Sequence, residues 1–135
     1  MKSLPDTPKV SIITMTYNDC AHLEKCVTQI LKQDYENIEY IIVDGGSSDG
    51  THEIIQKAAQ QLGDKLKWVS EPDEGLYDAL NKGIRMATGA IVGLMCDEFA
   101  DAHVLSDMVR QMQRDGTDGV HAVSYTHLTL PTILR

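Results

Sequence analysis

Four short apolar runs, each followed by a stretch whose apolar residues recur every three or four positions, constrain this chain more than any other feature. Val10 to Thr14 and Ile38 to Val43 are almost unbroken, the mark of strands buried on both faces. Leu66 to Val69 and Ala90 to Met95 read as a third and a fourth strand. Leu23, Cys26, Val27, Ile30 and Leu31 form one helix face, and Ile54, Ile55, Ala58, Ala59 and Leu62 a second. Leu76, Ala79, Leu80, Gly83, Ile84 and Ala87 form a third, and Val104, Leu105, Met108, Val109 and Met112 a fourth. Gly119 to Ala122 begins another extended piece. Such alternation predicts an α/β fold: a mostly parallel sheet flanked by helices and joined by right-handed crossovers. Ligands of such sheets sit beyond the C-terminal strand ends, so the chemistry is expected there.

With 135 residues the chain suits one domain, and 42% apolar residues suffice for a core. The net charge of −8 repels a phosphate backbone and argues against nucleic acid as a partner. A site for an anionic nucleotide must then be local, built from backbone N–H groups, helix N-termini or a bound cation. Cys20, Cys26 and Cys96 lack metal spacing and read as free thiols of a reducing cytoplasm. Met1 to Lys9 has no signal-peptide character, and no run is long enough for a membrane span.

Each predicted strand ends in polar residues. After strand one come Thr16, Tyr17 and Asn18: a tyrosine there can stack on a nucleobase, and the asparagine can cap a helix or tie down the loop. Strand two ends in Asp44-Gly45-Gly46-Ser47-Ser48-Asp49-Gly50. Its carboxylate can accept from a base or ribose, its glycines permit a sharp bend, and Ser47, Ser48 and Asp49 are expected caps for the next helix. After strand three, Ser70 to Gly83 opens a helix with acids, as the macrodipole prefers. Asn81 and Gly83 are costly inside that helix, and Gly83 is expected to allow close helix–sheet contact. Strand four ends in Asp97 and Glu98, which suit a hard divalent cation bridging phosphates.

The end of the chain differs in kind. Val123 to Thr132 reads VSYTHLTLPT, which matches the translation of adapter DNA from a transposase-based sequencing library. Residues 123–135 are therefore expected to be non-native, with the native domain covering 1–122 and cut near Ala122.

Taken together, Ser11 to Asn18, Val43 to Thr51, Ser70 to Gly83 and Ala87 to Gly93 resemble, in order and spacing, the motifs of the family 2 glycosyltransferases. The resemblance spans about Lys9 to Asp118. It implies a Rossmann-like GT-A fold, here its nucleotide-sugar-binding half, and a UDP-, GDP- or dTDP-sugar donor. The acceptor it implies is a glycan or a lipid-linked molecule, handled in the cytoplasm at the membrane face. Carried over by position, Thr16, Tyr17 and Asp44 would line the nucleoside pocket, and Thr14, Asn18 and Gly45 would belong to the same nucleotide-sugar site. Asp78 and Asn81 would flank the sugar and diphosphate, and Asp97 with Glu98 would hold Mg²⁺ or Mn²⁺.

Three departures from the family pattern stand out. Many relatives carry two adjacent acids where this chain has Asp44-Gly45. The acidic metal motif, Met95-Cys96-Asp97-Glu98, is one residue shorter than usual. The carboxylate base that an inverting transferase needs lies in the family's second half, and this sequence offers no candidate. The alternatives are a catalytically inactive nucleotide-binding fragment and, more remotely, a receiver-like signalling domain. The latter needs an acidic pair after strand one and a lysine after the last strand, whereas here strand one ends in Thr-Tyr-Asn and no lysine follows Lys82.

Overall fold

In the computed structural model the described residues are 7–95, 102–115 and four two-residue strands between 120 and 134. The elements run β1 (Val10–Thr16), α1 (Cys20–Lys32), β2 (Ile38–Asp44), α2 (Thr51–Leu62), β3 (Leu66–Ser70), α3 (Leu76–Met86), β4 (Ile91–Leu94) and α4 (Val104–Asp115). The short strands β5 (Val120–His121), β6 (Ser124–Tyr125), β7 (Leu128–Thr129) and β8 (Ile133–Leu134) follow.

The main sheet has the order β3-β2-β1-β4-β8-β5. Strands β1 to β4 are mutually parallel; β8 pairs antiparallel with β4 through Gly93 and Ile133, and also with β5. The chain steps outward from β1 to β2 to β3, then returns to place β4 on the other side of β1. That reversal is a topological switch point, where a crevice opens beyond the strand ends.

Alternation along the strands divides the core in two. Val10, Ile12, Tyr40 and Ile42 face α1, α2 and α4, whose Leu23, Cys26, Ile30, Ile55, Leu105 and Met108 are buried against them. Ile13, Ile41, Val43 and Val92 face the other way, onto α3. On this side Gly83 is decisive: a Cβ there would lie 2.6 Å from Ile13 Cγ2, so only glycine lets α3 settle this close to β1. Leu31 and Leu76 depart from the expected buried helix faces. Leu31 lies at the rim between α1 and α2, and Leu76, at the first position of α3, is 65% exposed.

The N-terminal end of the sheet holds a polar cluster that the apolar run of β2 concealed. Glu39, buried on β2, accepts at Oε1 from the Ser11 hydroxyl and the Thr88 N–H, both at 3.0 Å. Its Oε2 accepts from the Thr88 hydroxyl at 2.8 Å and from Lys9 and Lys67 Nζ at 3.0 Å each. Burial alone would raise this carboxyl's pKa, but the hydrogen bonds from Thr88 and the two lysines outweigh it and hold the value down to about 2.

Candidate functional site

At the opposite end of the sheet, the loops after β1, β2 and β3 converge. Asn18 adopts φ 49°, a left-handed conformation that asparagine tolerates better than most residues. Its N–H donates to Ser47 Oγ at 2.7 Å, and its Oδ1 accepts from Ser48 N–H at 2.8 Å. Asn18 thus ties two loops together and caps no helix. Ser47 and Ser48 do not cap α2 as expected: the Ser47 hydroxyl donates to Asp44, and the Ser48 N–H donates to Asn18. The residue before α2 is Gly50, which has no side chain to offer. Asp49 serves both helix starts: Oδ2 accepts from Cys20 N–H and Oδ1 from Thr51 N–H, each at 3.1 Å.

Asp44 is fully buried and its oxygens are taken up within the protein. Oδ2 accepts from Ser47 N–H at 3.0 Å and Ser70 Oγ at 2.7 Å, Oδ1 accepts from Ser47 Oγ, and His52 Nε2 stands 3.7 Å away. Desolvation pushes its pKa up, yet the bonds from Ser47 and Ser70 hold it below the usual carboxylate value. Thr14, 1% exposed, lies in the core, where its hydroxyl accepts from Tyr40 Oη at 2.7 Å. Thr14 and the Asp44 side chain therefore stand behind the site and do not line its open surface.

The open surface is a cleft of about 260 Å³ lined by Met15, Thr16, Tyr17, Asp73, Gly75, Leu76 and Ala79. Tyr17 is 63% exposed, so its ring is available to a ligand. The Thr16 hydroxyl is buried and has no hydrogen-bond partner among the described residues. A buried polar atom without a partner is costly, which marks this position as one awaiting a ligand or a further polar group. The Gly45 N–H donates to Thr16 O at 2.9 Å, which ties the end of β2 to the end of β1.

The loop between β3 and α3 is held from beneath. Asp78 Oδ2 accepts from Glu74 N–H at 2.9 Å, and Lys82 Nζ donates to Pro72 O at 3.2 Å and pairs with Glu71 at 3.1 Å. The Glu74 N–H bond lowers the Asp78 pKa, against some desolvation and with help from Lys82. Asn81 is exposed on α3. The Ser70 to Gly83 string thus acts largely to fix a loop whose cleft-lining members are Asp73, Gly75 and Leu76. Sequence reading passed over these three as ligand contacts, although all lie inside the string that carried the resemblance.

Asp97 and Glu98 lie outside the described residues. The Met95 N–H, just past β4 and two residues before Asp97, donates to Ile13 O at 2.9 Å. Among the described residues no group of three or more His, Cys, Asp or Glu could hold a metal ion, and no helix is long and apolar enough to cross a membrane. Neither Cys20 nor Cys26 is in a disulfide among the described residues.

A parallel sheet that reverses at β1 and β4, with a cleft beyond the end of β1, defines a doubly wound α/β domain of the ligand-binding kind. Comparison narrows this: the glycosyl transferase family 2 pattern matches residues 11–131, and the chain belongs to that family. An uncharacterised glycosyltransferase of Nostoc sp. is 32% identical over 113 residues, 83% of this chain and 35% of the relative. A PGL/p-HBAD biosynthesis glycosyltransferase of Mycobacterium bovis is 42% identical over 82 residues, 61% of this chain and 32% of the relative. The chain therefore spans about a third of the length of these relatives.

Solved structures agree on the GT-A-like fold. The mannosyltransferase PcManGT from Pyrobaculum calidifontis, in complex with GDP-Man and Mn²⁺, superposes with a TM-score of 0.71 at 30% identity, covering 87% of this chain and 35% of that one. S. aureus TarS in complex with UDP-GlcNAc gives 0.69 at 25% identity, covering 78% and 31%.

Proposed function

We propose that this chain is the donor-binding half of a glycosyltransferase that moves a sugar from a nucleotide-sugar to a glycan or lipid-linked acceptor. The observation that carries the reading is the cleft beyond the end of β1, where an exposed Tyr17 ring stands beside the Thr16 hydroxyl, which is buried and without a partner among the described residues. Tyr17 stacks on the nucleobase and Thr16 donates to the nucleoside. Asn18, Asp44 and Gly45 set the shape of the loops, with Thr14 supporting β1 from the core. Asp78 and Asn81 flank the sugar and diphosphate. Support comes from the family and from two neighbours of the same fold whose structures hold GDP-Man and UDP-GlcNAc.

Asp97 and Glu98 are proposed to hold Mg²⁺ or Mn²⁺. Their hard carboxylate oxygens suit either ion, and in sequence they follow closely on Met95, whose N–H pairs with Ile13 O of β1. When bound, the ion neutralises charge on the departing nucleoside diphosphate. Residues 123–135 are proposed to be a non-native tail, with the native domain within 1–122, on the strength of the ten-residue adapter match and although the family match runs on to residue 131.

Titrating UDP, GDP and dTDP into the chain by calorimetry, with and without Mn²⁺, tests the site. At least one should bind, and more tightly with metal. Absence of binding by a chain that circular dichroism shows to be folded would overturn the reading. For the 135-residue chain itself we propose nucleotide binding without turnover; sugar transfer above a metal-free control would refute that.

A further inference from the structure

Two carboxylates approach the cleft from the strand ends, and their situations differ. Asp44 is buried and its oxygens accept from Ser47 N–H, Ser47 Oγ and Ser70 Oγ. Asp73 lines the cleft and gives one oxygen to the protein: Oδ1 accepts from Gly75 N–H at 3.2 Å. Its Oδ2 and the Tyr17 ring edge both pack over Gly45, 3.0 and 3.3 Å from where a Cβ would stand, so the missing side chain is what lets them sit there. The loop that carries Asp73 is braced by Lys82 and Asp78, so the carboxylate is held in place before any ligand arrives.

We infer that Asp73 reads the nucleobase edge and makes this site selective for guanine. The inference rests on the nucleotide-binding reading above. An ionised carboxylate accepts hydrogen bonds and donates none. Guanine presents two adjacent donors, N1–H and the 2-amino group, to a single carboxylate. Uracil and thymine present one N–H flanked by carbonyl oxygens, which a carboxylate repels. Adenine places an acceptor beside its amino group. Gly45 brings the two groups together: with no side chain, it lets Asp73 and Tyr17 meet at one end of the cleft, so that a base stacked on Tyr17 finds the carboxylate at its edge. Bidentate pairing of this kind discriminates by roughly 10- to 100-fold.

The test is calorimetric titration of GDP, UDP, dTDP and ADP into the chain at fixed Mn²⁺, repeated with D73N. Asparagine keeps an oxygen for Gly75 N–H but presents an amide where the second acceptor stood, and circular dichroism confirms that the variant is folded. GDP should bind at least about tenfold more tightly than the others to the original chain, and D73N should remove that preference by weakening GDP alone. Equal or tighter binding of UDP, dTDP or ADP overturns the inference and leaves the nucleotide site standing. A GDP preference that survives D73N overturns the role of Asp73. If no nucleotide binds a folded chain, the underlying reading falls and this inference with it.

Discussion

The two ends of one sheet place a buried carboxylate in opposite circumstances. At the N-terminal end Glu39 gathers Ser11, Thr88, Lys9 and Lys67, and the cluster closes on itself. At the C-terminal end Asp44 is equally enclosed, but around it stand a Thr16 hydroxyl with no partner among the described residues, an exposed Tyr17 and a half-used Asp73. A closed polar cluster contributes to stability and offers a ligand nothing. An open rim gives up some stability and keeps hydrogen-bonding capacity in reserve. The contrast predicts that changes at the first end alter folding, and changes at the second alter binding.

The largest expected effect is at Glu39. Glu39→Ala strands the buried Ser11 hydroxyl and the Thr88 N–H, while Lys9 and Lys67, each partly exposed, turn to water. Urea denaturation should show a loss of roughly 2–4 kcal/mol, with nucleotide affinity of the remaining folded protein unchanged. A loss under about 0.5 kcal/mol would mean the cluster is not the stabilising element argued here.

The same carboxylate sets a pH dependence. Its folded-state pKa, about 2, lies below the unfolded value of 4.5, so the unfolded chain binds the proton more readily. The stability from Glu39 is therefore complete above pH 4.5 and is lost as pH falls toward 2. In Glu39→Gln this segment of the stability–pH curve should flatten; an unchanged slope between those limits would assign the acid sensitivity elsewhere.

Gly83→Ala comes next. In an open helix alanine would gain up to about 1 kcal/mol, but here the new methyl meets Ile13 at 2.6 Å. The expected net result is a loss of about 1–2 kcal/mol by thermal melting. The Gly83→Ala penalty should shrink when measured in an Ile13→Ala background, which lacks Cγ2, and an undiminished penalty would mean the contact does not limit the approach of α3.

Tyr17→Ala should matter least to folding, within about 0.5 kcal/mol, because the ring is largely exposed. Nucleotide affinity should nonetheless fall about tenfold or more if the ring stacks on a base. A variant that loses stability but not affinity would reverse the assignment of the two sheet ends.

The sequence alone determined the order and kind of the elements β1 to β4 and α1 to α4. Long apolar runs and three- and four-residue spacing follow from local geometry, and burial of both sheet faces requires them. It also determined the need for Gly83, because a helix-breaking residue at an apolar-periodic position signals a close approach. Tertiary structure alone decided which polar side chains remain open. Asp44 and Thr14 look like contact residues in the strand-end motifs, yet partners 26 residues away, Ser70 and Tyr40, draw them inside. Glu39 hides in an apolar run because its partners come from β1, β3 and the turn after α3. Asp73 becomes the accessible carboxylate only because Gly45, on another strand end, leaves room for it. Local periodicity encodes where a backbone goes; the satisfaction of a hydrogen bond depends on segments distant in sequence, so only the assembled fold reveals it.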